Sequence, residues 1–229
     1  ARQKYGNINE WDTSEVTSMY ELFDDKEEFN DDISNWDVSS VRDMSFMFQG
    51  AISFNQPLND WVTSSVRRIR FMFHEARSFN QPLDKWDTSM IHDMKCVFWG
   101  ACAFNQPIGS WETRDVLTTS HMFQNASSFN QSIEKWDVQN VENMVGMFGN
   151  ARAFNQPLAG WNTKNLVRMG DMFNGAIAFN QPIGSWDVSN VENFSHTFYG
   201  AKAFRRSLKP WKLTEEQKKD SHAHKSVFK

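Results

Sequence analysis

The sequence predicts a solenoid, a stack of about eight coils of 25 residues each. Nine of the ten Trp residues stand at intervals of 25, at positions 11, 36, 61, 86, 111, 136, 161, 186 and 211. No insertion or deletion interrupts this period, as expected when every coil of a stack has the same circumference. The 20 Phe residues support the same conclusion, since two of them recur at fixed places in all eight coils.

Each position within a coil is numbered by its offset from the Trp of that coil. Offset 5 is a branched aliphatic residue, offset 8 is usually Met, offsets 12 and 18 are always Phe, and offset 15 is Ala in seven of eight coils. Apolar residues three and four apart are typical of one face of an α- or 3₁₀-helix. We therefore predict a short helix across offsets 5 to 15 of each coil.

A Phe-Asn-Gln-Pro motif follows the predicted helix, as at Phe54–Pro57. Proline ends a helix and favours an extended residue before it. The next segment, Leu58–Trp61, has two large apolar groups three apart and predicts a brief strand. Asp and Ser after Trp suit a turn and the next N-cap. Each coil is thus expected to run as strand, turn, short helix and return loop.

An Asn follows the second Phe in seven coils, and Gln follows that Asn in six of them. These amides could form a polar binding strip, or they could form a ladder that caps backbone groups of adjacent coils. We favour the ladder, because these columns hardly vary while surface columns do.

The repeat Trp-Asp-x-Ser-x-Val-x-x-Met-x-x-Met-Phe-x-x-Ala-x-x-Phe-Asn-Gln is matched best over Trp136–Phe148. It resembles the repeats of BspA-like leucine-rich-repeat surface proteins, in the 25-residue variant abundant in Mycoplasma surface lipoproteins and found also in protists. The resemblance covers residues 8 to 211. It implies a leucine-rich-repeat-like β/α solenoid with a narrow parallel sheet on one side and short α- or 3₁₀-helices on the other. It also implies surface exposure, adhesion or protein binding, with no catalytic residues to transfer. The chain departs from the usual pattern in having Pro after Gln and a degenerate last coil at Phe204–Ser207.

We divide the chain into a repeat solenoid, residues 1–211, and a basic C-terminal cap and tail, residues 212–229. The solenoid is expected to be uncapped or truncated at its N-terminal end, and the run 211–216 predicts an N-cap and a helix start. Residues 202–229 hold nine Lys or Arg against three Asp or Glu, so an acidic partner for the tail is possible. Residues 1–201 hold 15 against 25, which argues against nucleic acid as a partner.

Seven acidic residues crowd the first coil between positions 21 and 32. They could form a cation site or a head-to-tail contact, or simply a solvated face, which is the interpretation we favour. No phosphate-binding loop, nucleophile elbow or zinc-protease motif is present, so we expect no enzymatic activity, no cofactor and no metal. No apolar run is long enough to form a transmembrane segment. The two Cys residues, 96 and 102, should be free thiols, because two helical turns would hold them too far apart.

Offsets 10 and 13 vary from coil to coil, and in the second to fourth coils they hold Phe46, Phe71, Cys96 and Trp99. Arg67 and Arg70 lie close to them in sequence. Exposed aromatic residues ringed by Arg resemble an interface hot spot, so these six residues are our candidate binding site. The alternative is that the aromatic residues fill gaps between coils.

These observations predict a non-enzymatic protein–protein interaction module whose partner the sequence does not name. The resemblance favours a surface-displayed adhesion or recognition protein at the cell surface or outside the cell. The alternative is a scaffold or accessory subunit of an intracellular or organellar assembly in a protist.

Overall fold

Successive coils of the chain stack on one another in register, with a period of 25 residues. The computed structural model describes residues 6–229, so residues 1–5 of the predicted solenoid lie outside the described part. Parallel bridges join residues at offset 7 of adjacent coils, for example Ser18 with Asp43 and Asp43 with Arg68. The indole rings of Trp61 and Trp86 stack with their centroids 6.4 Å apart. The predicted repeat architecture is therefore confirmed.

Helices occur only at the two ends of the described chain. They are the 3₁₀-helices Ile8–Glu10, Lys209–Trp211 and Lys225–Phe228, and one α-helix, Glu215–Asp220. Within the coils, residues 6–229 form turns and isolated bridges. The predicted helix across offsets 5 to 15 is thus wrong. The expected parallel sheet is reduced to single bridges, which lie at offset 7 and not in the segment before Trp.

Two residues of each coil adopt the left-handed backbone conformation, and they explain why no helix forms. The residues at offset 10 all have positive φ, including Phe46 at 61° and Phe71 at 59°. Offset 14 is left-handed as well, as at Gly50 with φ 66° and Glu75 with φ 56°. A right-handed helix cannot continue through such residues. The spacing of apolar residues at offsets 8, 11, 12 and 15 instead reflects a series of tight turns.

Backbone hydrogen bonds in this region alternate between two directions. The N–H groups at even offsets donate to the next coil, as Phe46 N does to Arg70 O at 3.0 Å and Phe48 N to Met72 O at 2.9 Å. The N–H groups at odd offsets donate three residues back within the coil, as Met47 N does to Met44 O at 3.2 Å. The backbone donors at offsets 10 to 13 are thereby satisfied without a helix or a sheet ladder.

The core is a double file of phenylalanine rings flanked by a file of tryptophans. Within one coil the rings of Phe48 and Phe54 stack at 4.0 Å, and each also stacks on its counterpart in the next coil, Phe48 on Phe73 at 5.5 Å. The tryptophan indole nitrogens donate to carbonyl oxygens 28 residues earlier, as Trp111 Nε1 does to Leu83 O at 2.9 Å. The residues of both phenylalanine columns are fully buried in the middle of the stack.

The Asn and Gln columns form the predicted ladder. Asn105 Oδ1 accepts a hydrogen bond from Asn130 N at 2.9 Å and from Gln131 Nε2 at 3.2 Å, both in the next coil. The same bonds recur along the stack, from the acceptor Asn30 to the acceptor Asn155. The structural interpretation of these amides is confirmed.

Offset 14 pairs a polar side chain in one coil with a glycine in the next. The carboxylate of Glu75 lies where a Cβ on Gly100 would stand, and Asn150 lies in the same way over Gly175. These glycines also have positive φ, 72° for Gly100 and 68° for Gly175. The pairing of a polar residue with a following glycine occurs at three of the seven steps of this column, since Asn125 is followed by another Asn and Gly175 by another Gly.

The C-terminal segment packs on the last coil. His196 N donates to Asp220 O at 2.7 Å, and Leu208 N donates to Val227 O at 2.7 Å, while Val227 is buried. The helix start predicted at 211–216 is confirmed, with Thr214 as N-cap of the α-helix in a capping box.

Candidate protein-binding surface

Six aromatic side chains form a continuous file across the first five coils, here called the aromatic stripe. Its ring centroids lie 4.8–5.6 Å apart from one member to the next, in the order Tyr20, Phe46, Phe71, His74, Trp99 and His121. Phe46 and Phe71 are stacked at 4.8 Å with an interplanar angle of 9°. Three members, Phe46, Phe71 and His121, stand at the left-handed offset 10, and the other three stand at offsets 9 and 13.

The stripe reaches the surface over most of its length. Tyr20 is 45% exposed, and Phe46, Phe71 and Trp99 are each partly exposed. Cys96, in contrast, is fully buried, and its Sγ lies 3.9 Å from Ser120 O. Our inclusion of Cys96 in the candidate site is therefore wrong, because a buried thiol cannot contact a partner.

Cations lie over the faces of the two stacked phenylalanines. The Arg70 guanidinium carbon is 5.5 Å from the Phe46 ring centroid, and Lys95 Nζ is 5.7 Å from that of Phe71. Both cationic residues are exposed. A cation at this distance is attracted by the ring quadrupole, at about 0.5–1 kcal/mol for exposed pairs. The stripe is thus bordered by fixed positive charge.

A groove of about 540 Å³ runs beside the stripe, here called the arginine groove. Its lining comes from three successive coils and consists of Asp43, Arg67, Arg68, Arg70, His92 and Asp93. Arg68 Nη1 lies 3.5 Å from Asp43 Oδ2, and the Arg68 side chain is 66% exposed. Both predicted arginines, Arg67 and Arg70, are therefore brought together with the aromatic residues.

Tyr20, His74 and His121 belong to this surface but were not among the sequence candidates. His74 and His121 occupy the variable offsets 13 and 10, so the variability of these two columns is the sequence signal that points to them. His74 Nδ1 lies 3.1 Å from Gln49 Oε1, and burial lowers the pKa of His74 from its ordinary value. Neutral His74 therefore fits between the rings of Phe71 and Trp99.

The two cysteines are free thiols, as predicted. Burial raises the pKa of the Cys96 thiol to about 12, which holds it protonated at neutral pH. Cys102 is partly exposed. Cys96 thus has no nucleophilic role at neutral pH.

No group of three or more His, Cys, Asp or Glu side chains among residues 6–229 is arranged to hold a metal ion. None of the helices in the described part has the length and apolarity needed to cross a membrane.

Comparison with known proteins places the chain in a family of repeats. No curated protein matches the sequence. One family model matches it three times, over residues 1–91, 81–172 and 132–228, so the matches together cover almost the whole chain. The protein therefore belongs to the family described as Mycoplasma protein of unknown function, DUF285.

Proposed function

We propose that this protein is a non-enzymatic protein–protein interaction module that binds its partner through the aromatic stripe. The observation that carries this proposal is the contact of six partly exposed rings with one another, bordered by Arg70 and Lys95. Aromatic residues and Arg dominate the binding energy of protein interfaces. Rings prearranged in one file lose little conformational freedom on binding.

The finer assignment we propose is a BspA-like leucine-rich-repeat protein displayed at the cell surface for adhesion or recognition. The repeat motif and the stacked coils support this assignment. In this proposal the coil backbone, made of turns and single bridges, is a variant of a leucine-rich-repeat coil without its helix and continuous sheet. Surface labelling of intact cells with a membrane-impermeant reagent tests the location, since an intracellular scaffold subunit would not be labelled.

The test of the binding surface is affinity capture with the wild-type chain and the Phe71→Ala, Trp99→Ala double variant. The matched control is Tyr199→Ala, because Tyr199 stands at the same offset as Trp99 in the last coil and is 56% exposed. Thermal melts establish first that all three proteins fold. We expect partners to be retained by the wild type and the control and lost by the double variant.

Equal recovery of every partner by the double variant and the control would overturn the proposal. Loss by both variants alike would show that the interaction depends on the stack as a whole and not on the stripe, and would also count against it.

A further inference from the structure

We propose that the arginine groove binds a short, extended acidic segment of the partner protein. This inference rests on the proposed function, because the groove borders the aromatic stripe along Arg70. The partner's carboxylates would lie in the groove, and an apolar neighbour would pack against the ring edges of Phe71 and Trp99.

The groove offers guanidinium groups that are available for a ligand. Arg67 and Arg70 are exposed, and neither forms an ion pair with another residue of the range 6–229. The two carboxylates of the groove are already engaged in turns, Asp43 Oδ1 with Ser45 N at 2.9 Å and Asp93 Oδ1 with Lys95 N at 2.8 Å. Guanidinium groups bind carboxylates in a bidentate geometry, which favours an acidic ligand.

The charge around the groove limits the length of that ligand. Residues 1–201 carry 15 basic against 25 acidic residues, whereas the groove lining holds three Arg against two Asp, so the groove is locally positive on an acidic body. Its lining comes from three coils, which at about 5 Å per coil span roughly 10–15 Å. An extended chain covers that distance in about four residues. A long polyanion would meet repulsion beyond the groove, whereas a short acidic segment would not.

The stacking of the rings favours a peptide over single-stranded nucleic acid. Nucleic-acid platforms present ring faces on which bases stack. Here Phe46 and Phe71 cover each other at 4.8 Å, and Arg70 and Lys95 lie over their rings. Ring edges therefore face the ligand, and these suit an apolar side chain.

The experiment measures fluorescence anisotropy of a short labelled peptide that contains several Glu residues and one Leu. The comparison probes are the same peptide with Lys in place of Glu, and oligothymidylate. The test variant is Arg67→Gln, Arg70→Gln. The matched control is Arg114→Gln, Arg168→Gln, which changes the net charge equally at two exposed arginines that do not line the groove.

We expect the wild type and the control to bind the Glu peptide with an affinity that falls as salt is added. The test variant should lose roughly tenfold or more, as for loss of charged hydrogen bonds. No binding of the Glu peptide, equal loss in both variants, or binding of the Lys peptide or oligothymidylate in its place would overturn the inference.

The two proposals can fail separately. If the Phe71→Ala, Trp99→Ala variant loses its captured partner but the Glu peptide never binds, only the acidic chemistry of the partner is refuted. If the Glu peptide binds through Arg67 and Arg70 but the Phe71→Ala, Trp99→Ala variant still captures the partner, the proposal for the arginine groove is supported and the proposal for the aromatic stripe is refuted.

Discussion

Replacement of Asn105 by Ala tests whether the amide ladder holds the coils together. The substitution removes the acceptor of Asn130 N, which lies 2.9 Å from Asn105 Oδ1. Gln131 Nε2 keeps its second acceptor, the Asn105 carbonyl oxygen, at 3.0 Å. One partly buried backbone N–H group is therefore left without a partner, at a cost of about 1–3 kcal/mol. At about 2 kcal/mol, the melting temperature of a chain of this size should fall by roughly 4–8 °C.

Two control variants separate the hydrogen bond from other effects of the change. Asn105→Asp keeps an oxygen acceptor at the same place and should restore most of the lost stability. Asn162→Ala removes an exposed amide that accepts a long hydrogen bond, of 3.4 Å, from Lys164 N, and should change stability by less than about 0.5 kcal/mol. The measurements are thermal melts by circular dichroism and urea unfolding by tryptophan fluorescence.

The reasoning is refuted if Asn105→Ala is no more destabilising than Asn162→Ala. The column would then have no structural role, and the binding-strip interpretation would return. If Asn105→Asp is as destabilising as Asn105→Ala, the loss does not arise from the missing acceptor.

A glycine, a pair of cysteines and a histidine give three further predictions. Gly100→Ala should lower the free energy of unfolding by about 1–2 kcal/mol or more, because φ is 72° and the new Cβ would meet the side chain of Glu75 in the preceding coil. Gly160→Ala adds a Cβ in open space and should have no such effect, and thermal melts of both variants check this. Iodoacetamide at neutral pH should label Cys102 in the folded protein and spare Cys96, and equal labelling by mass spectrometry would contradict the buried thiol. Burial lowers the pKa of His74 in the folded protein, so the unfolded chain binds a proton at this residue more readily. The stability that neutral His74 contributes is therefore present above about pH 6.5 and is lost as the pH falls through the folded pKa. His74→Gln should flatten the dependence of the unfolding free energy on pH in that window, and an unchanged profile would contradict this.

The parts of the fold that the sequence predicted are those where one residue type fills a whole column. Phe at offsets 12 and 18 and Trp at the coil start must be buried, because each contacts its own counterpart in the next coil. The Asn ladder could be predicted for the same reason. In a column that holds one residue type, every member has the same neighbours in the coils on either side. The residue type therefore indicates whether the position is buried in the core or hydrogen-bonded between coils.

The missing helix could not be predicted from the apolar spacing, since consecutive three-residue turns place side chains as a short helix does. The residue types at offset 10 did not predict its left-handed backbone, because residues as different as Phe, Cys, His and Asp occupy it. Offset 14 did carry a signal. Seven of its eight residues are Gly, Asn or Asp, the types that most readily adopt positive φ, and Glu75 is the exception.

The candidate site was predicted only in part, because contact between coils and exposure to solvent are separate properties. Phe46, Phe71 and Trp99 do lie together at the surface, with Arg67 and Arg70 nearby. Cys96 stands at the same offset as the two phenylalanines, yet its shorter side chain is buried. The offset of a residue determines which face of the coil its side chain is on. The length of the side chain then determines whether it reaches the solvent.

The backbone strain at offset 10 supports a binding role for the phenylalanines in that column. A non-glycine residue in the left-handed region costs roughly 1–2 kcal/mol, and Gly146 shows that glycine fits the same place in another coil. An aromatic pair such as Phe46 and Phe71 contributes about 0.5–1.5 kcal/mol beyond its burial. The pair therefore offsets only part of the roughly 2–4 kcal/mol that its two left-handed residues cost together. Because all eight residues at offset 10 have positive φ whatever their type, the coil geometry sets this strain, and the proposed contact of the aromatic stripe with a partner supplies a reason for Phe where glycine would be relaxed.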